Sequence, residues 1–235
     1  MPVLDAAAAA AQVPAGVPVL VIDTCSLLDI PRAVERDRRP ATEIDAAKRV
    51  LDAARARPPR VALFVAERVT EEWATNMPVV IGRLEAHVVR VEEDLARIAA
   101  CASPLGLASV AAMELQGMRV PHLLLEIAEA LLQEATVIEE TEPIKLAAYR
   151  REMKGTGPAR RGKQCLSDCT IAESLLRLTT ELRDRSPASL VFLTSNKEDF
   201  SDGGSLPHSD LQSDFTRLAI QISFRWAWAA HSLGL

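Results

Sequence analysis

Aromatic side chains are scarce in this chain of 235 residues: five Phe, three Trp and one Tyr make up 4% of it. Its core must therefore be packed mainly with aliphatic groups. Cysteine is equally thin. The four at positions 25, 101, 165 and 169 are too scattered for a disulfide framework. Cys165 and Cys169 share a helical face, but zinc needs two further ligands and no CxxC or HxxxH accompanies them. Reduced thiols in a cytoplasm are the expectation. There is no P-loop and no GxGxxG, which excludes the glycine cradles that hold mononucleotides and dinucleotides. No uncharged apolar run reaches the length of about 18 residues that reads as a membrane span. The opening sixteen residues lack the basic start of a secretory signal, and positions 1–16 read as a flexible or loosely helical lead-in. Positive charge is also in deficit, with 27 Lys and Arg against 32 Asp and Glu, a net charge of −5. A broad basic surface for nucleic acid is excluded; any such grip must be local or rest on metal ions.

Apolar residues are plentiful, at 49%, enough for one large domain over 17–235. The run VPVLVID at 17–23 has the unbroken apolar character of a strand buried on both faces. RVALFVA at 60–66 and ASLVFLTS at 188–195 read the same way, and IQISF near the end suggests a further short strand. Helical patterns fall between them. One runs over 42–59, with Thr42 as its cap, Asp45 three residues on and Pro58 and Pro59 as its stop. A short one follows the second strand, a long one begins at Pro78, and others cover 121–135, 142–153 and 166–185. Alternating strands and helices define an α/β domain with a parallel sheet. Residues 78–140 read as a helical insertion or cap.

Acids fall where such a sheet gathers its strand ends. Asp23 closes the first strand, Glu71 and Glu72 lie just past the second, and Asp199 lies just past the third, preceded by Asn196. Asp168 opens a helix, where the helix dipole favours a carboxylate. In a parallel sheet the carboxyl ends share one edge, so these groups can converge. Converging carboxylates repel, and a hard divalent cation such as Mg²⁺ relieves that repulsion. Such an ion can activate water and stabilise the leaving oxygen of a phosphodiester. Taken singly, each acid reads as well as a cap, a turn residue or a solvated charge.

Four segments, VLVIDTCSLLDI, VAERVTEEW, SDCTIAESLL and VFLTSNKEDF, resemble in order and spacing the motifs of the PIN-domain nucleases, and most closely the larger bacterial PIN-like proteins. The likeness spans about residues 17–212. It implies a Rossmann-like three-layer α/β/α sandwich around a parallel sheet of about five strands, and RNA cleavage that depends on Mg²⁺ or Mn²⁺. It implies that Asp23, Glu72, Asp168 and Asp199 are the catalytic and metal-binding acids. Glu72 is chosen over Glu71 because the family's Glu directly precedes a large apolar residue, here Trp73. Thr24 and Ser26 would orient a ligand or water. Glu173, five residues after Asp168, turns about 140° away on an ideal helix and would serve behind the ligands or lie on the surface. Asn196 stands where many members carry Asp, and supplies a carbonyl but no charge. The loop residues Arg151, Lys154, Arg160, Arg161 and Lys163 would hold RNA phosphates beside the acids, or simply be solvated. A toxin–antitoxin or stress module with an antitoxin partner is the role that family analogy suggests, and a PIN-like module that binds RNA or protein without cutting is the alternative.

Overall fold

A computed structural model describes residues 1–36, 40–105, 114–159 and 165–235. The chain opens with β1 (Val3–Leu4), α1 (Ala6–Ala11), β2 (Val19–Ile22), α2 (Thr24–Arg36) and α3 (Pro40–Arg55). It continues through β3 (Ala62–Ala66), α4 (Glu67–Ala102), α5 (Val120–Glu134), β4 (Thr136–Ile138) and α6 (Glu142–Lys154). It closes with α7 (Leu166–Glu181), β5 (Leu190–Leu193), α8 (Lys197–Phe200), α9 (Ser209–Arg217), β6 (Ile220–Ser223) and α10 (Trp226–Ser232). The strands form one all-parallel sheet of six in the order β1-β4-β3-β2-β5-β6.

Why these segments are strands follows from their sequence. Every residue of β2 and of β5 is buried, and apolar groups covered on both faces are what a parallel sheet between helical layers requires. Each such side chain contributes roughly 1.5–3 kcal/mol by leaving water. Helices α1, α6 and α7 pack together on one face; α2, α3, α5 and α10 pack together on the other. The result is the three-layer α/β/α sandwich. Phe192 of β5 meets Phe200 and Phe215 edge-on, with ring centroids 5.1 and 6.4 Å away, so three of the nine aromatics pack together beside β5.

Several expectations are corrected. The opening sixteen residues are not a loose lead-in. Val3 and Leu4 pair with Val137 and Ile138, Asp5 caps α1 by accepting from the Ala8 amide at 2.8 Å, and Ala6, Ala9, Ala10 and Val13 are buried in the main core. Alanine's small side chain lets α1 sit close upon its neighbours, which a count of apolar bulk does not reveal. Thr42 does not cap a helix, since α3 already begins at Pro40. The helix after β3 and the long helix from Pro78 are one helix of 36 residues with Pro78 inside it. Proline there removes one backbone donor without ending the helix. Residues 78–140 are not purely an insertion, because their last stretch supplies β4 to the sheet. Among the described residues, no helix is long and apolar enough to cross a membrane.

Candidate functional site

From β2 the chain moves to β3 and β4 on one side, then crosses to β5 and β6 on the other. The reversal falls between β2 and β5, which are hydrogen-bonded neighbours with Ile22 opposite Leu193. The crevice beyond the carboxyl ends of two such strands is where open α/β sheets take their ligands. Asp23 and Thr194 are the first residues past those ends. The Asp23 amide donates to the Leu193 carbonyl at 2.9 Å, and the Thr194 hydroxyl donates to Asp23 Oδ2 at 2.6 Å.

Asp23 is only 2% exposed, and its carbonyl accepts the first amides of α2, from Ser26 and Leu27. Burial above all, then the nearby charges of Asp168 and Glu72, pushes its carboxyl up from 3.8 to about 7, against the Thr194 hydroxyl and the Thr24 amide that favour the ionised form. Glu72 lies one turn into α4 and is braced by two hydroxyls: Thr24 Oγ1 donates to Oε2 at 2.5 Å, and Ser167 Oγ donates to Oε1. Its neighbour Glu71 is exposed and pairs with Arg68 at 2.6 Å, so the two glutamates have separate surroundings.

Asn196 joins the remaining acids. It caps the short α8, where its Oδ1 accepts from the Asp199 amide at 3.3 Å. Its Nδ2 donates to Asp199 Oδ2 at 2.9 Å and to Asp168 Oδ1 at 3.2 Å. The asparagine amide thus stands between two carboxylates, supplying the partial positive charge that holds them together. Asp199 is buried at 2% exposure, while Asp168, in the first turn of α7, is half-buried.

The structure therefore brings Asp23, Glu72, Asp168 and Asp199 to one edge of the sheet, linked through Thr24, Thr194, Ser167 and Asn196. An all-oxygen carboxylate set has the chemistry of a hard cation such as Mg²⁺ or Mn²⁺, and Asp23 is raised by burial first and by the charges of Asp168 and Glu72 after it. The set is gathered but not closed: among the described residues, no three His, Cys, Asp or Glu side chains form a group ready to hold an ion. The carboxylates are instead turned toward the hydroxyls and the amide that hydrogen-bond them.

Other expected residues have different jobs. The Ser26 hydroxyl is buried without a hydrogen-bond partner, while its carbonyl accepts the Trp226 indole N–H at 3.0 Å. Glu173 pairs with Arg151 at 2.7 Å. Arg151 also donates to the Gly157 carbonyl at 2.8 Å and its side chain is 12% exposed, so this arginine ties α6 to α7 and to the turn between them rather than reaching into solvent. Lys154 is exposed at the end of α6, just before Gly155 turns the chain with φ of 63°. Arg160, Arg161 and Lys163 lie outside the described residues. Cys25 sits between site residues, but burial and the surrounding carboxylates push its thiol up, which keeps it protonated and unsuited to act as a nucleophile. Thr194 and Ser167 fall inside the motifs VFLTSNKEDF and SDCTIAESLL, but only their hydrogen bonds to Asp23 and Glu72 show them to be site residues.

No family model, curated protein or solved structure matches this chain. The class that fold and site define is an α/β/α protein with four acids gathered at its topological switch point.

Proposed function

We propose that this protein is a metal-dependent ribonuclease that hydrolyses RNA phosphodiester bonds in a cytoplasm. The observation that carries the reading is the convergence of Asp23, Glu72, Asp168 and Asp199, acids from four separate chain segments, on the β2–β5 crevice, with Asp23 raised to about 7 by burial and by two of the others. Bound Mg²⁺ or Mn²⁺ would supply Lewis acidity for attack of water on phosphorus and for departure of the leaving oxygen. Asp23 and Glu72 would present carboxylate oxygens to the ion, and Asp168 and Asp199 would complete the set once released from Asn196. Thr194 and Thr24 fix the rotamers of Asp23 and Glu72, so that the donors are oriented before a ligand arrives. The sequence resemblance to PIN-domain nucleases supports the same assignment. A role in a toxin–antitoxin or stress module, with an antitoxin partner, extends it by analogy.

A second reading has its own observation. Asn196 already bridges Asp168 and Asp199 by hydrogen bonds, an arrangement that holds the acids without a cation and suits a module that binds RNA or a protein without cutting.

Cleavage of a labelled single-stranded RNA with Mg²⁺, with Mn²⁺ and with chelator separates the two. The nuclease reading expects cutting that needs the ion and falls on the order of 10²-fold or more in Asp23→Asn. Cutting that survives both chelator and Asp23→Asn would refute the metal mechanism, and RNA retention without cutting would favour the second reading.

A further inference from the structure

Beside the acids lies a cleft of about 560 Å³, within the range of about 300–1,000 Å³ that holds small ligands. It shares its wall with the site. Cys25 and Ser26 continue the turn that carries Asp23 and Thr24, and Ser195, Asn196 and Lys197 form the turn that carries the Asp168–Asp199 bridge. Apolar groups line part of it, among them Ile30, Leu193 and Phe224. Cations line another part: Arg32, Lys197 and Arg225. Ile30, Leu193 and Lys197 fall inside the sequence motifs, while Arg32, Phe224 and Arg225 fall outside them.

The cations are held in place by their neighbours. Arg225 pairs with Glu43 at 3.0 Å with its own side chain 46% exposed. Arg32 is 3.9 Å from Asp29. Lys197 Nζ lies 5.4 Å from the centre of the Phe224 ring. The Arg225 side chain keeps nearly half of its surface exposed beside a buried Glu43, and Arg32 a fifth of its own, so a phosphate can approach both guanidinium groups alongside their carboxylates. Three cations against two carboxylates make this lining locally positive in a chain of net charge −5.

An apolar lining with cations around it is matched by one chemistry in particular: a nucleotide, with a flat apolar-faced base and an anionic phosphate. We propose that this cleft takes a single unpaired nucleotide of the RNA strand being cut, next to the scissile phosphate, with Lys197 and Arg225 on its phosphates. The proposal rests on the ribonuclease reading for the identity of the strand. A base held in a duplex cannot enter such a cleft without leaving its stack, whereas single strands present splayed bases. The cleft would therefore make the protein selective for unpaired RNA.

The test reads binding in chelator, where no cutting occurs, so it is independent of the nuclease activity. Fluorescence anisotropy of a 5′-labelled single-stranded RNA octamer is measured on the full chain, on Lys197→Glu, on Arg225→Glu and on the exposed control Lys145→Glu. Circular dichroism establishes that each variant is folded. Each cleft variant is expected to weaken binding about tenfold and to lower the salt slope by about 0.7, as befits one phosphate no longer neutralised; the control is expected to bind like the parent. A blunt RNA duplex is expected to bind at least about tenfold more weakly than the octamer. Free mononucleotides separate the two sources of the same chemistry: strand recognition expects them to compete only at far higher concentration, and equal competition would overturn the strand assignment. Unchanged binding in both cleft variants, or equal affinity for duplex, would overturn the proposal even if the protein cuts RNA. Binding abolished in the cleft variants of a protein that never cuts would leave the cleft standing and remove the nuclease reading.

Discussion

Asn196 occupies the position on which the site turns. Its amide group donates to Asp168 and Asp199, so it presents hydrogens where a cation would need oxygens. Replacing it by Asp removes those donors and adds a charge. Asn196→Asp is expected to bind Mn²⁺ at least about tenfold more tightly, because a further hard ligand is added, and to melt lower than the parent in chelator, because the carboxylates then face one another unrelieved. Calorimetric titration with Mn²⁺ and thermal melts in chelator check the two halves separately. Unchanged affinity would mean that Asn196 does not limit cation entry. Much of the residue scale is legible in the sequence. The four acids and Asn196 sit at strand and helix ends that an α/β pattern brings to one edge. Thr194 and Ser167 stand within the motifs, yet their roles are not legible there, since a hydroxyl carries no periodic signal and its partner is settled only in three dimensions. Arg151 misleads for a related reason: its charge is visible in sequence, but its engagement with Glu173 and Gly157 is not.

At the scale of elements, the long apolar strands and the amphipathic helices are readable because their period is strong. The short pieces are not. β1 has two residues and β4 has three, too few to display a period. α1 is a run of alanines, which looks like low-complexity lead-in until its packing is known. Its burial gives a direct test. Ala9 is fully buried in the main core, where a charged side chain has neither room nor a partner. Ala9→Glu is expected to destabilise the protein by about 3 kcal/mol or more, measured by urea denaturation, while Ala11→Glu on the exposed face is expected to stay within about 0.5 kcal/mol of the parent. Equal effects from the two would show that α1 does not dock.

Over the whole molecule, the acid cluster couples stability to pH and to divalent ions. Asp23's carboxyl is raised from 3.8 to about 7 in the fold. Without a cation, its protonated form favours the folded state fully below about pH 4, and that contribution is lost as pH rises through about 7. Cation binding needs the ionised form, so protons and metal compete. Mn²⁺ at about a hundred times its dissociation constant adds about 2.7 kcal/mol, which for a chain of this size raises Tm by roughly 5–10 °C. That rise is expected nearly in full at pH 8 and at about half at pH 6, measured by differential scanning calorimetry. A rise independent of pH would separate cation binding from Asp23.

The sheet's own wiring sets one further condition. Val3 and Leu4 meet Val137 and Ile138, and the Val137 and Glu139 amides donate to Pro2 and Leu4 at 2.9 and 2.8 Å. β1 thus has its sheet neighbour 134 positions later in the chain. While the chain grows on a ribosome, β2 and β3 can pair as soon as residue 66 is free, but the first strand must stay solvated until β4 emerges. β1 can consequently cover the edge of β4 only after residue 138 has been made.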